Sequence, residues 1–412
     1  MTDDRSVASH CGLTAKRLER LQMSGRKHDI AIAGGGLAGG LIALALQRAR
    51  PDLSVVMIEQ GASLGGNHRW SWFASDLTSE GAQLLARFRK VEWSTGYQVA
   101  FPAHSRDLRS SYASLASADF DAALRRELAP DAIRCRAEIA SLDARGVTLA
   151  NGEHIAARAV IDCRGFEPTA HLTGGWQLFM GRHLRTAEPH HVSQPVIMDA
   201  RVEQHDAYRF VYVLPLGADE LFVEDTYYAN SPKLDRRTLA SRIEAYCAEH
   251  DWQGEILGNE VGVLPVITGG NFAAYQAERR IPGVAMAGAR GLFVHPLTSY
   301  SLPQAVATAL AIAADADLSG EQMAAMLEDR ARRHWRATRF YRRLGAMLFT
   351  AAEPDQRYRI FERFYRLPEG LIERFYAAHS TRLDRARILC GRPPVPIAGA
   401  LKALRKRGVP LA

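Results

Sequence analysis

His28 to Gln60 reads HDIAIAGGGLAGGLIALALQRARPDLSVVMIEQ. Apolar residues run from Ile30 to Ala33, a glycine cluster follows, helical periodicity takes over, and a second apolar run occupies Val55 to Ile58. That order predicts strand, turn, helix, strand. Gly34, Gly36 and Gly39 stand at G-x-G-x-x-G spacing. The first allows the tight turn, the second lets a pyrophosphate approach the backbone, and the third lets helix pack on strand. The helix start, at Leu37 and Ala38, presents free N–H groups and the positive end of the helix dipole to phosphate. Glu59, at the end of the second strand, is placed to accept hydrogen bonds from ribose hydroxyls and disfavours a 2′-phosphate. The stretch therefore predicts a Rossmann-type dinucleotide site.

The rest of the chain sets the scale. It has 412 residues, enough for two or three domains, and its 47% hydrophobic and 24% charged content is that of a globular protein. Cys11, Cys135, Cys163, Cys247 and Cys390 are odd in number, scattered, and without metal-ligand spacing. They indicate neither a disulfide framework nor a zinc site, so no metal is expected and a reducing cytoplasm is the simplest location. Residues 1–27 are basic and polar and read as a flexible leader with no signal-peptide core. No window of 18 apolar residues occurs, so no membrane-spanning helix is expected. The net charge of +7 is uneven: residues 321–412 hold 20 Arg and Lys against 9 Asp and Glu, leaving the rest at −4. A basic C-terminal quarter calls for an acidic surface, anionic lipid or nucleic acid.

Outward from the opening unit, Gly61 to Phe73 (GASLGGNHRWSWF) is a loop placed to return toward a cofactor. Short strands are expected at 97–101 and 106–112, an amphipathic helix over Ser117–Ala129, and a hairpin turning at Asn151-Gly152. Ala159 to Gly165 (AVIDCRG) reads either as a buried strand emerging beside a cofactor or as a strand and turn. From Trp176 to Pro265 the pattern is mainly β-type alternation, interrupted by a helix over Leu234–Glu249. Ile281 to Ala314 returns to dinucleotide-domain character, with a strand at Val284–Ala287 and a helix opened by Pro303. The expected architecture is α/β: a discontinuous dinucleotide-binding domain (28–165 and 281–320), a sheet-rich substrate domain (166–280), and a basic helical region (321–412) facing a membrane.

Three stretches could carry chemistry. RFVYVLPLGADELFVEDTYY (Arg209–Tyr228) is a hairpin whose second strand bears Glu224 and Asp225. Adjacent strand residues face opposite sides, so at most one of them faces a given cleft. A carboxyl buried among apolar groups has its pKa raised and serves as a proton donor; the other reading is solvated charge at a strand end. HPLTSYSLP (His295–Pro303) either turns backbone N–H groups toward an anionic part of a cofactor or simply connects strand to helix. Arg330 to Phe349 interleaves seven arginines with aromatic and aliphatic residues. It suits a membrane surface or a solvated face; no nucleic-acid fold accompanies it. A serine or cysteine hydrolase signature is missing.

Taken together, GGGLAGGLIALALQ (Gly34–Gln47), GGNHRWSW, AVIDCRG, YRFVYVLPL with FVEDT, HPLTSYSLP, RFYRLPEGLIERFYA and GRPPVP resemble the bacterial lycopene β-cyclases. These are flavoproteins with a flavin hydroxylase-like fold. The resemblance runs from about His28 to Leu404. It implies acid–base closure of the ψ end groups of lycopene and related carotenoids to β-ionone rings, by way of γ-carotene to β-carotene. No net redox change occurs, and the FAD is kept reduced by NAD(P)H. It further implies that Gly34, Gly36, Leu37, Ala38, Gly39 and Glu59 hold the dinucleotide. Gly288, His295, Pro296, Thr298, Ser299, Tyr300 and Ser301 would approach the flavin, Glu224 would be the proton donor, and Asp225 the adjacent candidate. A hydrocarbon substrate implies a peripheral enzyme at the inner face of the membrane. Two departures stand out. Ser299 replaces a glycine usual in the family, so a φ > 0 there would strain the loop, and Ala287-Gly288-Ala289 lacks the G-D pair of many FAD oxidoreductases. A flavin monooxygenase or reductase acting on a lipid is the alternative enzyme, and a non-catalytic lipid or nucleic-acid binder the alternative outside catalysis.

Overall fold

The computed structural model describes residues 28–390 and 408–412. The leader 1–27 and the GRPPVP stretch lie outside the described residues. The opening unit forms as its pattern predicts: strand His28–Ala33, helix Leu37–Ala49, strand Val55–Ile58. The first strand pairs in parallel with Val55–Ile58 on one side and His154–Asp162 on the other. Val284–Met286 joins the same seven-stranded sheet beside His154–Asp162, so the chain returns to it after a long excursion. Ile30, Ala31, Ile32 and Ala33 are fully buried because helices cover one face and the Gly146–Leu149 hairpin region the other.

The second sheet is eight-stranded. Its central run is Gly254–Gly270, Thr169–Thr186, Glu220–Ala229, Tyr208–Pro215, all antiparallel neighbours. Two of its strands come from the stretch expected to lie wholly in the first domain. Tyr97–Phe101 pairs with Val196–Asp199, and His104–Leu108 pairs with Tyr97–Phe101. The reason lies in the side chains: Tyr97, Val99 and Phe101 are buried in the aromatic cluster under this sheet, not in the aliphatic core of the first. Helix Arg236–Glu249 covers the opposite face through Leu239, Ile243 and Tyr246, which pack on Val211, Val213, Leu221 and Val223.

Beyond Gly320 the described chain is helical up to Leu389, with helices Gly320–Ala337, Arg339–Ala351, Tyr358–Phe364, Glu369–Tyr376 and Arg382–Leu389. Pro354 opens a 3-10 turn and Pro368 immediately precedes a helix. The aromatic residues of the Arg330–Phe349 stretch do not face outward. Tyr341 and Leu348 are buried, and Trp335 is sandwiched between Phe272, at 5.2 Å, and the Arg342 guanidinium, at 3.6 Å. Exposure is left to Arg332, Arg333, Arg336, Arg339 and Arg343. Much of the apolar area of this stretch is therefore packed against the protein's own core, with Trp335, Phe340 and Phe349 partly exposed. Among the described residues no helix is long and apolar enough to cross a membrane.

Candidate active site

The glycine loop is built for close approach. Gly34 has φ +103°, and a Cβ there would lie 3.0 Å from the Cys163 backbone, so the turn is pressed against the end of the AVIDCRG strand. Gly36 has open space where its side chain would be, and the helix after it has neither a side-chain cap nor an acidic first turn. Its first N–H groups are thus left for an anion. A Cβ on Gly39 would collide with the Gly34 carbonyl at 2.0 Å. Glu59 reaches back to this loop, accepting from the Gly35 N–H at 2.8 Å and the Gly61 N–H at 2.7 Å. Gly288, at φ +59°, meets Ala38 so closely that a Cβ would lie 2.7 Å from the alanine methyl, which brings the second half of the fold onto the start of the helix.

Two cavities adjoin the GGNHRWSW and HPLTSYSLP loops. One, of about 460 Å³, has Gly165, Ala289, Trp176 and Ile267 in its wall; the other, of about 190 Å³, is lined by aromatics and by Glu224. His68, Leu264, Ser299 and Ser301 belong to both. The GGNHRWSW loop and the HPLTSYSLP loop thus form the partition. Within the second loop the residues divide. Thr298, Ser299, Tyr300 and Ser301 face the cavities, whereas His295 and Pro296 are not among the lining residues. His295 instead closes the loop: its N–H donates to the Tyr300 carbonyl at 2.8 Å, and its carbonyl accepts from the Ser299 N–H at 2.9 Å. Burial lowers its pKa to about 3, so the ring is neutral. Pro296 accepts from the Ile267 N–H, tying the loop to the second sheet. Ser299 does adopt a left-handed conformation, φ 55°. Its hydroxyl donates to the Pro265 carbonyl at 2.7 Å, a bond that a glycine could not make and that offsets the strain.

The acidic motif obeys strand alternation. Phe222, Glu224 and Thr226 lie on the cavity side, and Val223 and Asp225 on the side of helix Arg236–Glu249. Asp225 is fully buried there, in a forked ion pair with Arg209 whose Nη2 lies 2.7 Å from Oδ2. This placement sets Asp225, unlike Glu224, away from the cavity, with its charge matched by Arg209. Glu224 accepts from the Thr226 hydroxyl at 2.6 Å, and burial pushes its pKa up. Around it stand Arg69, whose guanidinium lies 5.1 Å from the Phe222 ring centre, and Tyr212, whose hydroxyl is 2.6 Å from that of Tyr112. His68 packs against Trp70 and Phe179 and is held neutral, its pKa lowered to about 4.

One residue beside the site escaped the sequence reading. Glu260 stands across Gly181 from Glu224, and burial followed by the charge of Glu224 raises its pKa. Both glutamates pair in register with Gly181 on the strand between them. Period-two reading would have shown Glu260, Gly262 and Leu264 on one face, but only knowledge of the strand pairing sets that face beside Glu224.

Fold and site together define a protein with the architecture of the flavin-dependent hydroxylases and reductases. Solved structures of this shape include a geranylgeranyl bacteriochlorophyll reductase-like protein of Thermoplasma acidophilum (TM-score 0.56, 12% identity, covering 92% of this chain and 99% of that one). The flavin-dependent halogenase BrvH of Brevundimonas (TM-score 0.52, 14% identity, covering 79% of each chain) is another. At those identities the likeness speaks for the fold alone. The chain belongs to the lycopene cyclase protein family, whose pattern matches residues 29–402. It is 41% identical over 381 residues to a lycopene beta-cyclase of a Paracoccus species, covering 92% of this chain and 98% of that protein. To the lycopene beta-cyclase of Pantoea ananas it is 41% identical over 378 residues, covering 92% and 98%.

Proposed function

We propose that this chain closes the ψ end groups of lycopene and similar carotenoids to β-ionone rings, with Glu224 as the proton donor. The observation that carries the reading is a single carboxyl with a raised pKa, Glu224, opening on an aromatic-lined cavity in a member of the lycopene cyclase family. In its acid form Glu224 gives a proton to the terminal double bond. The neighbouring olefin supplies the electron pair that closes the ring on the tertiary cation, and a different proton leaves, so no electrons are exchanged overall. Tyr112, Tyr212, Phe210 and Tyr228 exclude water and turn π electrons toward the positive charge.

The residues fit an FAD. The uncapped helix start, the glycine cradle and Glu59 suit its pyrophosphate and ribose, and Thr298, Ser299, Tyr300 and Ser301 suit the flavin end. When bound and kept reduced by NAD(P)H, it supplies a negative charge that favours a nearby cation. On this reading residues 28–165, less the 97–108 hairpin, act with 281–320 as the flavin-binding part, and the second sheet as the substrate part.

The substrate is a hydrocarbon, and we place the enzyme at the inner membrane surface. Arg336, Arg339 and Arg343 are exposed, and among the described residues no ion pair with an acid engages them. Arg385 lies 5.4 Å from the Phe340 ring and brings helix Arg382–Leu389 next to them, with Leu383 83% and Leu389 56% exposed. The deciding experiment supplies lycopene in liposomes with FAD and NADPH. The expected result is γ-carotene followed by β-carotene, with NADPH use far below one per ring; NADPH consumed in fixed ratio to an oxygenated or reduced product would replace this reading by the monooxygenase or reductase one.

A further inference from the structure

The carboxyl pair at the end of the cavity has a geometry that a lone acid does not need. Tyr212, Glu224, Gly181 and Glu260 form one row across four neighbouring strands, since Tyr212 pairs with Glu224, and Gly181 with both glutamates. Two strand spacings, about 9.5 Å, separate the two glutamate backbones. Their side chains bridge that gap over a residue with no side chain of its own. Gly181 has no room for one: a Cβ there would meet the Phe222 ring at 2.2 Å. The row brings the two carboxyl groups side by side across Gly181, and a hydrogen bond between two carboxyl groups requires a proton on one of them. Glu224 opens on the cavity, whereas Glu260 is 7% exposed and is not among the residues lining it.

The charged and titratable neighbours decide which of the two keeps the proton. Glu224 faces Thr226, whose hydroxyl donates to it, and has Arg69, Tyr212 and Tyr112 around it, with Asp225 behind the sheet. Glu260 faces Glu224 and Arg69. Thr226 already stabilises Glu224 as the anion. Among the described residues no hydroxyl does the same for Glu260, and the negative charge of Glu224 favours its neutral form.

We infer that Glu260 is a positioning residue that stays protonated through turnover and donates its O–H to Glu224, stabilising the carboxylate left when Glu224 gives up its proton. The balance is simple. The Glu224 O–H bond breaks as a C–H bond forms on the substrate. The electron pair stays on Glu224, and the Glu260 proton does not leave Glu260. Glu260 thereby makes Glu224 a stronger acid than burial alone would leave it, which is what protonation of an unactivated olefin demands.

This inference rests on the cyclase reading, and its test is built to fail separately. In the FAD-loaded enzyme, infrared difference spectra at neutral pH are expected to contain a protonated-carboxyl C=O band that persists in Glu224→Gln and disappears when Glu260→Gln is added to that variant. That outcome does not depend on any activity. In lycopene turnover, Glu260→Gln retains a donor, so kcat should stay within about threefold of the wild type. Glu260→Leu removes the donor and should lower kcat by about 10- to 100-fold, with KM nearly unchanged. Its alkaline limb should move up by about one pH unit, because Glu224 is then a weaker acid. A Glu260→Gln enzyme as inactive as Glu260→Leu, or a carboxyl band of Glu224→Gln that survives the addition of Glu260→Gln, overturns the inference. If Glu260→Leu does not load flavin, the glutamine variant and its spectrum decide alone. Absence of cyclisation in the wild type with the band behaving as stated would count against the cyclase reading and leave the protonation of Glu260 intact.

Discussion

Glu224 and Asp225 are one peptide bond apart and meet opposite surroundings, because successive side chains of a strand leave on opposite faces. Glu224 enters the aromatic cavity; Asp225 enters the layer beneath helix Arg236–Glu249 and is matched by Arg209. Their substitutions should therefore separate cleanly. Glu224→Gln is expected to keep its flavin and lose cyclisation by about 10²- to 10⁴-fold, read by pigment analysis. Asp225→Asn leaves the Arg209 charge buried and uncompensated, and should lower unfolding stability by about 3–5 kcal/mol in urea titration, with cyclisation per folded molecule retained. Ser299 gives a third case. Its left-handed backbone costs about 1–2 kcal/mol, and its hydroxyl bond to Pro265 returns about 1 kcal/mol. Ser299→Gly should be close to neutral in stability, whereas Ser299→Ala, which keeps the strain and loses the bond, should lose about 1–2 kcal/mol. The departure from glycine was visible in the sequence; the Pro265 partner was not, since it comes from a strand 34 residues away.

The elements of the opening unit were legible because periodicity, glycine punctuation and burial all agree there. Elsewhere the limits were those of pairing. The 18-residue strand Thr169–Thr186 carries the whole second sheet, yet glycines at Gly174, Gly175 and Gly181 interrupt its alternation. Those glycines are required by neighbours, such as the Phe349 ring 2.2 Å from a Cβ on Gly175, that only the fold supplies. The same blindness affected the basic helices. Composition alone suggested that arginines and aromatics act together on one surface, but the aromatics turn inward and Arg332 and Arg333 are engaged by Glu328 and Asp329. The membrane prediction accordingly moves to other residues. Replacing Arg336, Arg339 and Arg343 together by glutamate should abolish sedimentation with anionic liposomes at low salt and leave cyclisation of detergent-dispersed lycopene intact. Equal sedimentation of this variant and the wild type would remove these helices as the docking face.

Across the whole molecule, buried ionisable groups set the pH response. Glu224 and Glu260 have pKa values raised by burial, as does Asp76, to about 6. They bind protons more tightly in the folded than in the unfolded chain. Their contribution is complete below the unfolded carboxyl range and is lost as pH rises through the folded values. His68 and His295 run the other way: lowered to about 4 and about 3, they contribute fully above about pH 6.5 and lose that contribution as pH falls. The thermal midpoint should therefore peak between about pH 4.5 and 6.5 and decline on both sides. In a Glu224→Gln, Glu260→Gln double variant the alkaline decline should be much reduced and the acid one unchanged.

By itself, the sequence determined the opening strand–turn–helix–strand unit, the identity of the acidic motif and the charge of the C-terminal quarter. Each depends on residues close together in the chain, whose spacing dictates local backbone geometry. The tertiary structure decided which of two adjacent acids meets the cavity, that Glu260 stands beside Glu224, and which arginines remain free. Those outcomes depend on strand register and helix packing, contacts between residues far apart in the chain that no local pattern encodes.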